Sequence, residues 1–302
     1  MHRIFGATFA LAAALAATRA SGAAPAPRTP QHYEGIFAIP GATTEATATL
    51  SVATVGRLEA MLDLVERSGG AAIRDYDVEM TKRLHLIVIS DDFSTFAHLH
   101  PELEPDGHFK LDVRVPKAGR YYIYADGEPS GLGKSVFRFS VPFGDAPNRA
   151  PQIAATTATA VALPYSVTLD SLHLNVDAPT SIGVRIEEHG RTANDLRPYL
   201  GGAAHAVFID ARTLAYLHVH PVPGDGTATS AMPGMPGMAA MRGMSAKTGA
   251  LSEDMADLPA GAKVPGTMRL HVAAVPAGRY KLWLQFRGGN SLHVASFVLT
   301  AP

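Results

Sequence analysis

The chain contains an internal duplication that carries histidines at matched positions. Leu84-His85-Leu86-Ile87-Val88-Ile89-Ser90-Asp91 leads to Phe96-Ala97-His98-Leu99-His100-Pro101. In the second copy, Ala204-His205-Ala206-Val207-Phe208-Ile209-Asp210 leads to Tyr216-Leu217-His218-Val219-His220-Pro221. The step from the first His to the second is the same in both. Downstream, Pro116-Lys117-Ala118-Gly119-Arg120-Tyr121 matches Pro276-Ala277-Gly278-Arg279-Tyr280, and upstream Val65-Glu66 and Ile186-Glu187 stand at nearly equal distances before the first His. Four blocks in one order identify two copies of a module, each long enough to bury its own core.

The module reads as β-structure. Runs rich in Val, Ile, Leu, Tyr and Phe, such as 84–90, 111–115, 121–125, 136–141, 280–286 and 293–299, are bounded by turn formers like Pro105-Asp106-Gly107 and Arg287-Gly288-Gly289-Asn290. Residues 57–67 have some helical character, but their counterpart at 179–188 alternates, so strand or loop is expected there. The fold class that follows is all-β, with two tandem β-sandwiches of the immunoglobulin or cupredoxin type. The expected layout is a signal peptide at 1–24, a first module at 31–143, a Pro/Ala/Thr-rich linker at 144–159 and a second module at 160–302.

Strand geometry then concentrates the histidines. If the matched runs form an antiparallel hairpin turning near Asp91 to Ser94, pairing Ile89 with Phe96 sets Ile87 opposite His98 and His85 opposite His100. Side chains alternate between faces, so His85, His98 and His100 point the same way, and a one-residue slip destroys the cluster. The same register gathers His205, His218 and His220. Three imidazoles at one strand end form a candidate site for copper, zinc, iron or nickel. The alternative is that a buried His-x-His is satisfied by hydrogen bonds at a strand end, with the following Pro marking that end. Duplication copies a structural device as readily as a site. His108, His173 and His189 are expected at the surface, and His271 and His293 in strands with core or surface roles. Asp91 and Asp210 read as turn residues.

The copies differ after the second His-x-His-Pro, where roughly forty extra residues (about 222–264) enter. This insert carries Met232, Met235, Met238, Met241 and Met244, one at every third position, spaced mostly by Gly, Pro and Ala. That pattern suits neither a packed strand nor a helix, and thioethers are soft ligands that select Cu(I). It also fits a compositionally biased loop with no ligand.

The N-terminus sets the expected compartment. Met1-His2-Arg3 precede an apolar, Ala-rich run to Ala17 and then small residues to Ala24, the layout of a cleaved export signal whose core is too short to span a bilayer. No membrane span is expected in the mature protein, and a periplasmic or secreted location follows. The chain has no cysteine, which removes thiolate zinc sites, thiol nucleophiles and blue-copper centres. A formal net charge of −1 without basic runs argues against nucleic-acid partners. No Gly-x-Ser-x-Gly elbow, His-Glu-x-x-His helix or phosphate loop is present, so no enzyme activity is expected.

With these blocks assembled, the sequence resembles an uncharacterised family of exported bacterial proteins. The resemblance rests on Leu84-His85 through His100-Pro101, Pro198-Tyr199-Leu200-Gly201-Gly202 with His205, and Tyr216 through Pro221. It covers most of both modules and implies a sandwich domain in the cell envelope with a suspected role in metal handling. The Met-rich insert is similar in composition to periplasmic copper-resistance proteins, whose Met-rich loops bind Cu(I). The expected function is copper binding, for buffering or delivery, with a metal ion as partner and an envelope protein as a further one. The competing expectation is a non-catalytic interaction or structural module whose histidines hold its strands together.

Overall fold

The computed structural model of the protein describes residues 29–39, 41–145, 147, 149–151, 153–224 and 257–302. The expected signal segment (1–24) and Met232, Met235, Met238, Met241 and Met244 lie outside the described residues. The chain divides into two compact units, one built mainly from residues 42–79 and 83–152 and the other from 153–302 with the short segments 38–41 and 80–82. Both are all-β, and each is a two-sheet antiparallel sandwich. Among the described residues no helix is long and apolar enough to cross a membrane.

The first unit runs β1 (Gln31–Glu34), β2 (Ile36–Phe37), β3 (Thr47–Gly56), β4 (Glu59–Ser68), β5 (Ala71–Ala72), β6 (Leu84–Ser90), β7 (Phe96–Leu99), β8 (Glu102–Leu103), β9 (His108–Arg114), β10 (Gly119–Gly127) and β11 (Ser135–Phe143). One sheet has the order β1-β3-β4-β9-β8, and the other β2-β11-β10-β6-β7. The region with helical character at 57–67 is thus largely strand: Ala60, Leu62 and Leu64 of β4 alternate into the core. They meet Leu86, Val88, Ile123 and Phe139 from the facing sheet. Because the side-chain period is two, the partners of these core residues on β6 (His85, Ile87 and Ile89) project from the opposite face.

The second unit repeats the plan with β12 (Thr159–Ala162), β13 (Tyr165–Leu169), β14 (Thr180–Glu188), β15 (Arg191–Thr192), β16 (Leu196–Arg197), β17 (His205–Asp210), β18 (Tyr216–Val219), β19 (Val222–Pro223), β20 (Thr267–Val272), β21 (Gly278–Gly288) and β22 (Ser291–Ala301). Its sheets are β12-β13-β14-β20-β19 and β16-β21-β17-β18, the latter with β22 along β21. Phe208, Leu282, Leu284, Phe286 and Phe297 face Ile182, Val184 and Leu270 across the core.

The repeated Ala-Gly-Arg-Tyr block has a structural purpose. Where the chain leaves one sheet for the other, the Tyr121 hydroxyl donates to the Lys117 carbonyl at 2.9 Å, and Tyr280 donates to Pro276 at 2.7 Å. Both bonds reach four residues back and lock the corner, as the tyrosine corner does in immunoglobulin-like sandwiches. Burial raises the pKa of both phenols, that of Tyr280 to about 12, so both stay protonated donors. Tyr121→Phe and Tyr280→Phe are each expected to cost about 1 kcal/mol, the typical net value of one such bond. Urea unfolding at constant m checks this; no change in midpoint would show that the corners are held by packing alone.

The ladders correct one alignment. Arg67 pairs with Ala72 and Glu187 with Thr192, while the carbonyls of Glu66 and Ile186 accept from Ile73 and Ala193 respectively. Structurally, Glu66 therefore corresponds to Ile186 rather than Glu187, one position from the sequence expectation. A carboxylic acid stands in the first core where the second has an aliphatic side chain. Glu66 is fully buried, with Oε2 accepting from Ser135 Oγ at 2.8 Å and Oε1 without a hydrogen bond. Burial pushes its pKa up to about 7; the Ser135 bond opposes that shift and the charge of Asp126 adds to it.

Candidate metal centres

The hairpin register is the one that strand alternation demands. Ile89 pairs with Phe96, Val88 with Ala97, Ile87 with His98 and Leu86 with Leu99. In the second unit Ile209 pairs with Tyr216, Phe208 with Leu217, Val207 with His218 and Ala206 with Val219. His100 and His220 each lie one residue past the shorter strand, where continuing the ladder sets them opposite His85 and His205.

The rings converge. His85 Nδ1 lies 3.0 Å from His98 Nε2, and His100 Nε2 lies 3.0 Å from the same His98 atom. One ligand atom from each of these three side chains lies within 4.8 Å of the others. In the second unit His205 Nδ1 lies 3.2 Å from His218 Nε2. The His220 ring is centred 4.7 Å from His205 and 4.6 Å from His218. His85, His98, His205 and His220 are buried, while His100 and His218 are partly exposed.

Backbone carbonyls determine which nitrogen faces inward. His85 Nε2 meets the Glu79 carbonyl at 3.1 Å, and His205 Nε2 meets the Tyr199 carbonyl at 2.9 Å. A carbonyl only accepts, so each Nε2 carries the proton and each Nδ1 presents its lone pair to the neighbouring rings. Hydrogen bonding alone then serves the first cluster poorly. A neutral ring nitrogen offers either one proton or one lone pair, yet His98 Nε2 stands 3.0 Å from two other ring nitrogens. A cation among them would accept all three lone pairs. Nitrogens about 2.0–2.1 Å from a common metal, at angles between square and tetrahedral, sit roughly 2.9–3.4 Å from one another. The observed separations fall in that range, and outer hydrogen bonds to carbonyls are the usual companions of His ligands. The chemistry of this donor set therefore fits a late first-row metal ion.

The carbonyls are themselves aimed by tight turns. In Tyr199-Leu200-Gly201-Gly202, Leu200 and Gly201 have φ of 50° and 81°, and Tyr199 and Gly202 exchange backbone bonds of 2.9 and 3.1 Å. Positive φ at both central positions makes this a type I′ turn. The equivalent turn ahead of His85 lacks glycine, with Met80 at 46° and Thr81 at 66°. A β-branched residue in the left-handed region is strained, and strain of this kind persists where the surrounding structure enforces it.

Around the two clusters the outer residues differ. Asp126 is the register partner of His85, and Gln285 that of His205. Lys134 Nζ forms an ion pair with Asp126 Oδ1 at 2.8 Å and also pairs with the Glu79 carboxylate. Burial opposes the charge of Lys134, but Asp126 and Glu79 outweigh it and raise its pKa. In the second unit the Tyr199 ring stands edge-on to His205 with centroids 5.3 Å apart.

Other predicted positions stay outside the clusters. Met232, Met235, Met238, Met241 and Met244 lie outside the described residues, but both ends of the insert are placed. The chain leaves the cluster through Pro221 and pairs Val222 with Arg269. On its return Leu258 N donates to Gly201 O at 2.8 Å, on the same turn that aims the Tyr199 carbonyl. His293 Nε2 donates to Gly288 O at 3.3 Å and stacks on Phe286, which is a packing role. His271 lies on β20, paired with Ser181 of β14 in the sheet that does not carry the cluster. His173 and His189 are exposed. His108 differs from the surface expectation: it is half-buried, and its Nδ1 meets Asp63 Oδ1 at 2.6 Å. Asp210 does cap its turn, accepting from the backbone of Arg212 and Thr213. Asp91 also stands in its turn, with its side chain accepting from the Arg149 amide at 2.6 Å, while the neighbouring Asp92 accepts from Ser94 N at 3.1 Å.

The carbonyl partners of His85 and His205, like the Glu79-Lys134-Asp126 group, were absent from the sequence expectations. Backbone acceptors have no residue signature; only the equal six-residue steps from Glu79 to His85 and from Tyr199 to His205 carry a trace of them.

Among the curated proteins no match is found. A family model described as a domain of unknown function, DUF8832, matches residues 41–142 and 159–302, and the chain belongs to that family.

Proposed function

We propose that this chain is an exported copper-binding protein that buffers the ion or hands it on. The observation that carries the reading is the inward-facing pair of ring nitrogens, His85 Nδ1 with His98 Nε2 and His205 Nδ1 with His218 Nε2. In each unit a carbonyl fixes the tautomer that leaves the first His able to ligate. His85, His98 and His100 would hold an ion in one unit, and His205, His218 and His220 in the other. Copper is favoured among candidate ions because Met232, Met235, Met238, Met241 and Met244 add soft thioethers to a chain without thiolates. The insert that carries them starts just past His220, and its far end docks through Leu258 on the turn behind His205. These methionines would capture Cu(I) or pass it to and from the His205 cluster.

Titration of the mature chain with Cu(I) under a competing chelator, beside the same chain lacking 232–244, tests the reading. Tight binding that weakens by about tenfold or more on deletion is expected, with the histidines retaining a weaker site. Affinity no greater than that of an unrelated exported protein would instead favour an interaction module with structural histidines.

A further inference from the structure

The duplicated clusters keep the same inner histidines but differ around them. Superposing the ladders makes Asp126 equivalent to Gln285, because these residues are the register partners of His85 and His205. Asp126 also pairs with Val136 and Gln285 with Val294, so Lys134, two residues before Val136, corresponds to Leu292. The equal steps to the first His make Glu79 the counterpart of Tyr199. Two acids and one base in the first unit are thus an aromatic ring, an amide and an aliphatic chain in the second.

The electrostatic consequence is direct. Asp126 and Glu79 share one ammonium, that of Lys134, which leaves a formal charge of −1 beside His85. Asp126 is fully buried, so water screens this charge weakly. Register partners also share a face of the sheet, with Cβ atoms about 4.5–5.5 Å apart. The His205 cluster has a neutral amide at that place and the Tyr199 ring against its first ligand. A fixed negative charge attracts a divalent ion about twice as strongly as a monovalent one. A neutral amide in that place lacks this advantage.

We propose that the two clusters divide the ions by charge: His85, His98 and His100 take a divalent ion, and His205, His218 and His220 take Cu(I). This inference rests on the metal reading of both clusters. It assigns the duplication a purpose, since one chain would then hold two charge states of copper, or Cu(I) beside a divalent ion of another metal.

The test uses the full mature chain with one cluster disabled at a time, by His85→Ala/His100→Ala or by His205→Ala/His220→Ala. Zn(II) and Cu(I) are the probes, each under competition with a chelator. The chain retaining the first cluster is expected to bind Zn(II) at least about tenfold more tightly than the chain retaining the second, and to bind Cu(I) less tightly. Adding Asp126→Asn to the chain that retains the first cluster should weaken Zn(II) about tenfold and Cu(I) much less. Since Asp126→Asn strips Lys134 of a partner and risks misfolding, Gln285→Glu in the other chain supplies the converse, a gain in Zn(II) affinity. The same order of preference in both chains, or no response to either charge change, overturns the division while leaving the clusters as metal sites. No binding of either ion to either chain overturns both readings.

Discussion

Replacing His218 and His220 together with Ala is expected to lower the Cu(I) affinity of the second unit by roughly a thousandfold. Loss of a residue that merely supports a ligand costs about 10–100-fold, and this variant removes two of three donors outright. His205 alone cannot compensate, because the Tyr199 carbonyl occupies its other nitrogen. Folding should change far less than binding. His218 is partly exposed, and the hairpin keeps its ladder through Ala206, Phe208 and Ile209. Competition titration reads the affinity and urea unfolding without metal reads the fold. A loss of stability with copper affinity intact would assign these side chains to the strands.

The second large effect is on stability and comes from Glu66. Its carboxyl is protonated more readily in the folded chain, with a pKa near 7, than in an unfolded one, where 4.5 applies. Between these values the folded state binds more protons, so stability is fullest below about pH 4.5 and declines as pH rises through 7. The difference amounts to about 3 kcal/mol across that window. The groups bearing on this carboxyl are Ser135, which donates to it, and Asp126, whose charge disfavours its ionisation. Glu66→Gln is expected to flatten this decline and leave the protein more stable at pH 8. Denaturant midpoints at pH 5 and pH 8, in both forms, measure it. Parallel losses in the two proteins would place the pH dependence elsewhere.

The sequence disclosed the fold and the inner ring of the candidate sites because both depend on a strict period. Alternation along residues 84–90 and 205–210, with equal steps to His98 and His218, left one register that keeps Ile87 and Val207 buried and gathers the histidines. The structure has that register. What lay beyond reading depends on contacts without residue signatures. The Glu79 and Tyr199 carbonyls orient their histidines as backbone groups, which any residue supplies. Tyr121 and Tyr280 stood in a visible repeat, but only the bonds to Lys117 and Pro276 reveal a corner rather than a site. Glu66 was misaligned by one residue because Glu187 offered a chemically similar neighbour, while the ladder of β4 and β5 settles the match. Asp126 and Lys134 are eight residues apart in sequence, and a hairpin closes them into an ion pair.

The central claim is that the convergent histidines hold metal. Anomalous diffraction at the copper edge, from crystals of the mature protein grown with copper, addresses it most directly. The account predicts a peak about 2.0–2.1 Å from His85 Nδ1, His98 Nε2 and His100 Nε2, and another bound by His205 Nδ1 and His218 Nε2 with His220. Copper bound elsewhere, with the six rings keeping only one another and the Glu79 and Tyr199 carbonyls as partners, would contradict it.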